Sequence, residues 1–380
     1  MRAIKKAARF LLRTVRKNKQ LNELAQYVYL KLSPVFGMRI DNNDRLLFGS
    51  PSVKDSAEGR PRVAFICDEM TWQDFHPFVD SVFVHPKIWK KQLEQFRPDV
   101  FFCESAWSGI EAYTHVWRGR IYRDKRVSFE NRDVLLQILA YCRKEGIRTV
   151  FWNKEDPAYF GHPDYDFMDT ALRFDSIFTT AEECVESYRA GGHTCVSLLP
   201  FGVNTKLFYP AEGAREGKRV MFAGSWFAEH TERCKALEKL LDYAISQGWQ
   251  LDIYNRNSHS QDERFAFPEK YKPYLRPAVP FFEMPRVYRE YTHAINVNTV
   301  TDSPTMLSRR VLQLAASGIT ILSNDAQGLQ SLSDCLRICP TAQDGIVLIH
   351  PDVEAMQKHA SSARLRRVLE TVLLEDKGNE

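Results

Sequence analysis

KRVMFAGSW (218–226) decides the reading of the fold, because there an α/β rhythm that has already run its course begins again. Downstream come a helical segment at 230–247, the apolar run QLDIYNR (250–256), HAINVNTVT (293–301), a helix in SRRVLQLAASG (308–318), ITILSND (319–325) and a short strand near 346–349. Upstream the same alternation runs through RVAFICDE (62–69), a helix at 87–97, PDVFFCES (98–105), a helix at 130–145 and IRTVFWNKEDP (147–157). It ends with FDSIFTTA (174–181), a helix at 182–190 and CVSLLPFGV (195–203). Short apolar strands alternating with helices imply parallel sheets, since parallel neighbours need crossover connections. The expected class is α/β, with two Rossmann-like domains facing each other across a cleft and an amphipathic helix ahead of them.

The spacing divides the chain into a basic extension and loop (1–61), a first Rossmann-like domain (62–205), a second (206–355) and a C-terminal helical segment (356–380) that packs back across the linker. KLFYPAEGAREGK (206–218), rich in breakers and charges, is the expected linker, and PSVKDSAEGRP (51–61) an expected loop. A chain of 380 residues with 44 % hydrophobic content has ample material for two buried cores.

Fifty-two basic residues against 48 acidic ones argue against a nucleic-acid binder. The eight cysteines form no CxxC pair, which disfavours a structural zinc site, and several lie in strand-like runs as buried, reduced thiols do. No apolar run approaches the roughly 20 residues a membrane span needs. The N-terminus has no signal-peptide pattern, so a cytoplasmic location is expected. Residues 1–20 carry Arg2, Lys5, Lys6, Arg9, Arg13, Arg16, Lys17 and Lys19 with no acid, and place Ile4, Ala8, Leu11 and Val15 at helical spacing. Such a helix is expected to dock peripherally on an anionic membrane surface, here the inner face of the cell membrane.

Ligands of open parallel sheets bind beyond the carboxyl ends of the strands. In the first half those positions hold Asp68, Glu69, Glu104 and Glu155, candidates for binding an acceptor or taking its proton, with Glu104 and Asp68 favoured. In the second half Gly224 and Ser225 follow a strand and precede a helix that carries Arg233, an arrangement suited to a phosphate. Ser308, Arg309 and Arg310 place a hydroxyl and two guanidinium groups at the start of another helix, with Thr305 just before and Gln313 within it. GxxxxGKS, HExxH and GxSxG are absent, which disfavours P-loop ATPases, zincins and α/β-hydrolases.

The stretches DEMTWQDF (68–75), PDVFFCESAWSG (98–109), VFWNKEDPAYF (150–160), FDSIFTTAEECVESYRAGG (174–192), LPFGVNTKLFYP (199–210), FAGSW (222–226) and NVNTVTDSPTMLSRRVLQLAASG (296–318) resemble the CgeB-like glycosyltransferases of spore and surface glycans, within the GT-B superfamily. The resemblance implies a GT-B fold in which the first domain holds the acceptor and the second the nucleotide-sugar. By position, Gly224, Ser225 and Arg233 would meet the donor phosphates, and Ser308, Arg309 and Arg310 would flank the diphosphate and sugar. Where the superfamily often carries two glutamates, this chain has Thr305 and Gln313. Gln313 can hydrogen-bond a ribose hydroxyl but supplies no carboxylate.

The reading this supports is a hexosyltransferase-like enzyme of polysaccharide biosynthesis. It would move a sugar from a nucleotide-sugar to a cell-surface glycan, lipid-linked or related acceptor. The nucleotide-sugar is a co-substrate; no cofactor and no metal is implied, because arginines can neutralise the leaving diphosphate. A sugar-nucleotide epimerase on the same fold, or a catalytically degenerate glycan- or nucleotide-binding protein, remains an alternative.

Overall fold

The computed structural model describes residues 19–32, 45–48, 59–213 and 217–374. The expected amphipathic helix over 1–20 lies outside the described residues up to residue 18, as does the loop at 51–61 up to residue 58. The first described helix is α1 (Lys19–Leu32), followed by the single turn α2 (Arg45–Phe48).

The first domain is a six-stranded sheet of β1 (Arg62–Ile66), β2 (Asp80–Phe83), β3 (Val100–Glu104), β4 (Arg148–Asn153), β5 (Ser176–Thr179) and β6 (Val196–Leu198). The spatial order is β2-β1-β3-β4-β5-β6, and every pairing is parallel. The central strands are buried along almost their whole length, as the unbroken apolar runs VAFI, VFFC and VFW require of a sheet covered on both faces. Their helices are α3 (Glu69–Phe75), α4 (Trp89–Phe96), α5 (Asp133–Glu145), the single turn α6 (Phe167–Ala171) and α7 (Glu182–Ala190). Strand β2 and helix α3 were not anticipated: DSVF is half polar and sits at the sheet edge, and EMTWQDF hides its apolar stripe among polar neighbours.

The second sheet has seven strands: β7 (Arg219–Gly224), β8 (Gln250–Asn255), β9 (Leu275–Arg276), β10 (His293–Asn296), β11 (Thr320–Asn324), β12 (Leu336–Pro340) and β13 (Ile346–Pro351). Its order is β9-β8-β7-β10-β11-β13-β12. The pairings from β9 to β11 are parallel, whereas β11–β13 and β13–β12 are antiparallel, so the sheet is mixed. Helix α8 (Thr231–Ser246) follows β7, the short α9 (Met284–Tyr288) precedes β10, and α10 (Arg310–Ala316) connects β10 to β11. Two Rossmann-like domains therefore face each other, each presenting strand carboxyl ends to the interdomain space.

The C-terminal segment is not one continuous helix. A 3-10 stretch at Ala355–His359 leads into α11 (Ser361–Leu374), which returns to the first domain. Val203 N–H donates to His359 O at 3.0 Å, and Ser361 N–H donates to Val203 O at 2.9 Å. The approach needs glycine beneath it: a Cβ on Gly202 would come 2.9 Å from Ser361 Cα. Leu365, Val368 and Val372 are buried along α11. Six of the eight cysteines are buried and none is paired in a disulfide. No helix among the described residues is long and apolar enough to cross a membrane.

Candidate functional site

The carboxyl ends of β1, β3 and β4 meet, and the acids there bind one another's neighbours. Asp68, which precedes α3, accepts the backbone N–H groups of Trp107 (2.9 Å), Ser108 (2.9 Å) and Gly109 (2.7 Å), and also Lys154 Nζ at 2.9 Å. Burial raises the Asp68 pKa, but Lys154 and the backbone donors outweigh it and hold the carboxyl below its usual range. Glu104 is fully buried. It accepts Asp68 N–H at 2.5 Å and the Thr71 hydroxyl, and sits 3.2 Å from Lys154 Nζ. Burial works against the Lys154 charge, yet the surrounding acids keep the ammonium well above its usual pKa.

Glu69 accepts from Gln73 Nε2 (2.6 Å) and from Glu111 N–H (2.7 Å). Glu155 differs. It is half-buried, and desolvation pushes its pKa up to about 7 against the opposing pull of Lys154 and a hydrogen bond from Trp107. A carboxyl poised near neutrality is what general-base work requires.

The second domain contributes a pocket of about 430 Å³ between the lobes. Met70 and Glu111 line it from the first domain; Gly224, Tyr254, Arg256, Tyr288, Arg310 and Gln313 are among its lining from the second. Gly224, at the end of β7, lines it and leaves no room for a side chain, since a Cβ there would lie 2.7 Å from the Phe222 ring. The loop Ala278–Phe281 closes the far wall, and Phe281 N–H reaches across to Glu111 Oε1 at 2.8 Å.

Three guanidinium groups converge here. Burial and the charges of Arg310 and Arg256 lower the Arg233 pKa to about 10. Arg256 opens onto the cleft, but the surrounding protein strips water from it, and with Arg310 this lowers its pKa too. Among the described residues no carboxylate pairs with Arg233, Arg256 or Arg310. Arg233 donates to Ser225 O at 3.0 Å, and Arg310 lies 5.7 Å above the Phe222 ring. Gln313 is 2 % exposed and its Nε2 has no partner within the protein. Uncompensated cations beside an unpaired buried amide form a cradle for a multiply charged anion that also offers hydroxyl acceptors.

Of the residues singled out from sequence in this half, Gly224, Arg310 and Gln313 line the pocket and Arg233 stands within charge range of it. Ser225 is held by its own loop, its hydroxyl accepting Asn257 Nδ2 at 2.9 Å. Ser308 N–H donates to Asn298 Oδ1 at 2.9 Å. Two others face the first domain instead. Thr305 donates to Thr180 O (3.0 Å) and accepts Glu182 N–H (2.9 Å). Arg309 is buried, ion-paired to Asp74 at 2.5 Å, hydrogen-bonded to Thr71 at 2.9 Å and stacked over Trp152 and Phe201. Arg256 was missed, although it follows β8 as Gly224 ends β7, and the same rule about strand carboxyl ends singles it out. Tyr254, Tyr288 and the 278–281 loop carried no such signal.

No family model matches the chain, and no curated protein matches it. Among solved structures, it is similar to a sucrose-phosphate synthase from Thermosynechococcus elongatus at 12 % identity, with 84 % of this chain and 98 % of that one covered and a TM-score of 0.43. It is similar to Anabaena Alr3699/HepE in complex with UDP-glucose at 10 % identity, covering 82 % and 95 % with a TM-score of 0.43. A glycosyltransferase from Rickettsia africae is similar at 7 % identity, covering 82 % and 94 % with a TM-score of 0.41.

Proposed function

We propose that the chain is a GT-B glycosyltransferase of CgeB-like type that uses a nucleoside diphosphate sugar bound in the interdomain pocket. The observation that carries this is the cluster of Arg233, Arg256 and Arg310, none of them ion-paired to a carboxylate among the described residues. Folding leaves such charge density unpaired only at a cost, and a diphosphate removes that cost. In the reaction an acceptor hydroxyl oxygen bonds to the anomeric carbon as the bond from that carbon to the diphosphate oxygen breaks. The leaving diphosphate gains charge, which the arginines stabilise. The acceptor proton passes to a base, and Glu155 is the candidate whose pKa suits the task. Asp68 and Glu104, favoured on sequence grounds, are bound up in hydrogen bonds and instead position Lys154 and the 107–109 loop. Gln313, whose buried Nε2 has no partner within the protein, would meet a ribose hydroxyl. The transferred group is a hexose, the acceptor a surface or lipid-linked glycan, and residues 1–20 seat the protein on an anionic membrane face.

Calorimetry with UDP, GDP, dTDP and CDP tests the donor site. At least one should bind, and Arg256→Ala and Arg310→Ala should each weaken it by roughly 10- to 100-fold, the worth of a charge-assisted contact. Arg309→Ala should leave affinity within about threefold, since charge-assisted contacts are short-range. Binding untouched by either pocket substitution defeats the assignment.

A further inference from the structure

Helix α1 is fastened to the first domain by its polar side. Glu23 accepts the Ser128 hydroxyl at 2.7 Å, Lys31 Nζ lies 3.8 Å from Asp133, and Arg120 donates to the Leu30 carbonyl. Tyr27 stands edge-on to Phe129 at 5.5 Å between centroids. The apolar side is left in the open. Leu21, Leu24 and Val28 recur at helical spacing along one stripe and are 47, 59 and 43 % exposed. Of the seven large apolar side chains exposed among the described residues, five belong to α1. A helix of the second domain does the reverse: α8 buries Leu237, Leu240, Leu241 and Ala244. A helix that spends its polar side on the protein and shows its leucines to the outside needs something to cover them.

The charge around the stripe identifies the cover. Residues 2–19, which run directly into α1, hold eight cations and no acid. Pro86 and Lys87 border the same recess as Tyr27, Leu30 and Lys31, and Lys87 leads into the basic start of α4, where Lys90 and Lys91 are exposed beside a half-buried Trp89. The acids nearby are taken up: Glu23 and Asp133 by the contacts above, Glu130 by Arg132 at 2.9 Å, and Glu94 by Lys90 at 4.0 Å. A second copy of this chain would cover the leucines but add another set of cations with no acid to answer them. An anionic bilayer buries apolar side chains and answers the cations with one surface.

We infer that α1 lies in the interfacial layer of an anionic bilayer, with Leu21, Leu24 and Val28 sunk toward the acyl chains and the cations of residues 2–19, Lys87 and Lys90 against the headgroups. The polar side of the helix keeps its contacts with Ser128 and Asp133. The folded first domain is therefore held on the membrane directly, not only through a basic tether. This deepens the seating proposed for residues 1–20 and rests on it for the choice of an anionic surface.

Co-sedimentation of the full chain with vesicles of phosphatidylcholine, with and without phosphatidylglycerol, tests it. The parent should bind where phosphatidylglycerol is present. The double substitution Leu24→Gln, Val28→Gln changes no charge, yet it should weaken that binding roughly tenfold or more, because two side chains lose their transfer out of water. Melting temperature should stay near the parent's, since both side chains are exposed, and the salt dependence of binding should keep its steepness, since every cation remains. Equal binding by parent and variant overturns the seat on α1 and leaves the basic tether standing. A parent that ignores phosphatidylglycerol removes both. A parent that runs as a dimer in gel filtration, and as a monomer once Leu24 and Val28 are replaced, shows that a second copy covers the stripe and overturns the lipid assignment.

Discussion

The two domains present their strand carboxyl ends to the same space but handle charge in opposite ways. In the first, Asp68, Glu104 and Asp74 are knotted to Lys154 and Arg309 by short contacts, and little is left over for a ligand. In the second, Arg233, Arg256 and Arg310 face one another, and none of them is ion-paired to an acid among the described residues. The contrast is sharpest between adjacent residues: Arg309 is spent on structure, and Arg310, one position on, opens into the pocket. Charge density alone does not mark a site; charge that the fold leaves unanswered does.

The largest expected effect lies in the answered half. Arg309→Ala would strand Asp74, which is fully buried, without its cation. Removing one partner of a buried pair typically costs about 3–5 kcal/mol. Burial already raises the Asp74 pKa against the pull of Arg309, and the substitution removes that pull. With its folded-state pKa above the unfolded one, Asp74 weakens the fold as pH rises through that window. Urea denaturation should therefore show a deficit at pH 8 that narrows toward pH 5. A deficit independent of pH would mean that Asp74 is not the stranded charge.

Much of this fold could be read from the chain because apolar runs of strand length punctuated by helical segments leave few alternatives. β1, β3, β4 and the helix Glu182–Ala190 appear where hydrophobic periodicity puts them. The antiparallel pairing of β13 is a matter of partner choice between distant segments, which no local pattern encodes. That Gly224 and Arg310 line the pocket was legible because a strand end and a helix start are local features. That Arg309 turns to Asp74 was not legible, since adjacent residues on a helix point about 100° apart and the sequence does not say which face meets the other domain. Arg256 was legible in principle, hidden only by lacking a glycine turn or a paired arginine to draw attention to it.

A smaller effect should carry the opposite sign. Replacing a cation in the unanswered half relieves repulsion rather than stranding a partner. Arg256→Gln should stabilise the unliganded protein by about 0.2–1 kcal/mol, even as it weakens nucleotide binding. Added salt should erase the gain, because screening already does what the substitution does. Thermal melts of parent and variant across a salt series would show the curves converging; a variant less stable than the parent at low salt would mean that Arg256 has a structural partner after all, and the contrast between the halves would fail.

A last effect concerns Glu155, an acid at the edge of that knot. Glu155 has a folded-state pKa near 7 against an ordinary value of 4.5, so the folded chain holds its proton more tightly than the unfolded one. Stability must then fall as pH rises from about 4.5 to about 7 and level off above, the reverse of what a salt-bridged carboxylate contributes. Asp156, raised by burial from 3.8 to about 7, adds to the same slope. Asp68, held low, contributes only below its ordinary value of 3.8, outside this window. Glu155→Gln should make the decline between pH 5 and 7 shallower while leaving the share due to Asp156, a difference readable in denaturation midpoints at pH 5, 6, 7 and 8. Parallel curves for parent and variant would mean that Glu155 ionises as an ordinary carboxyl, and a group already stripped of its proton well below neutrality is a poor acceptor for the one an attacking hydroxyl must shed.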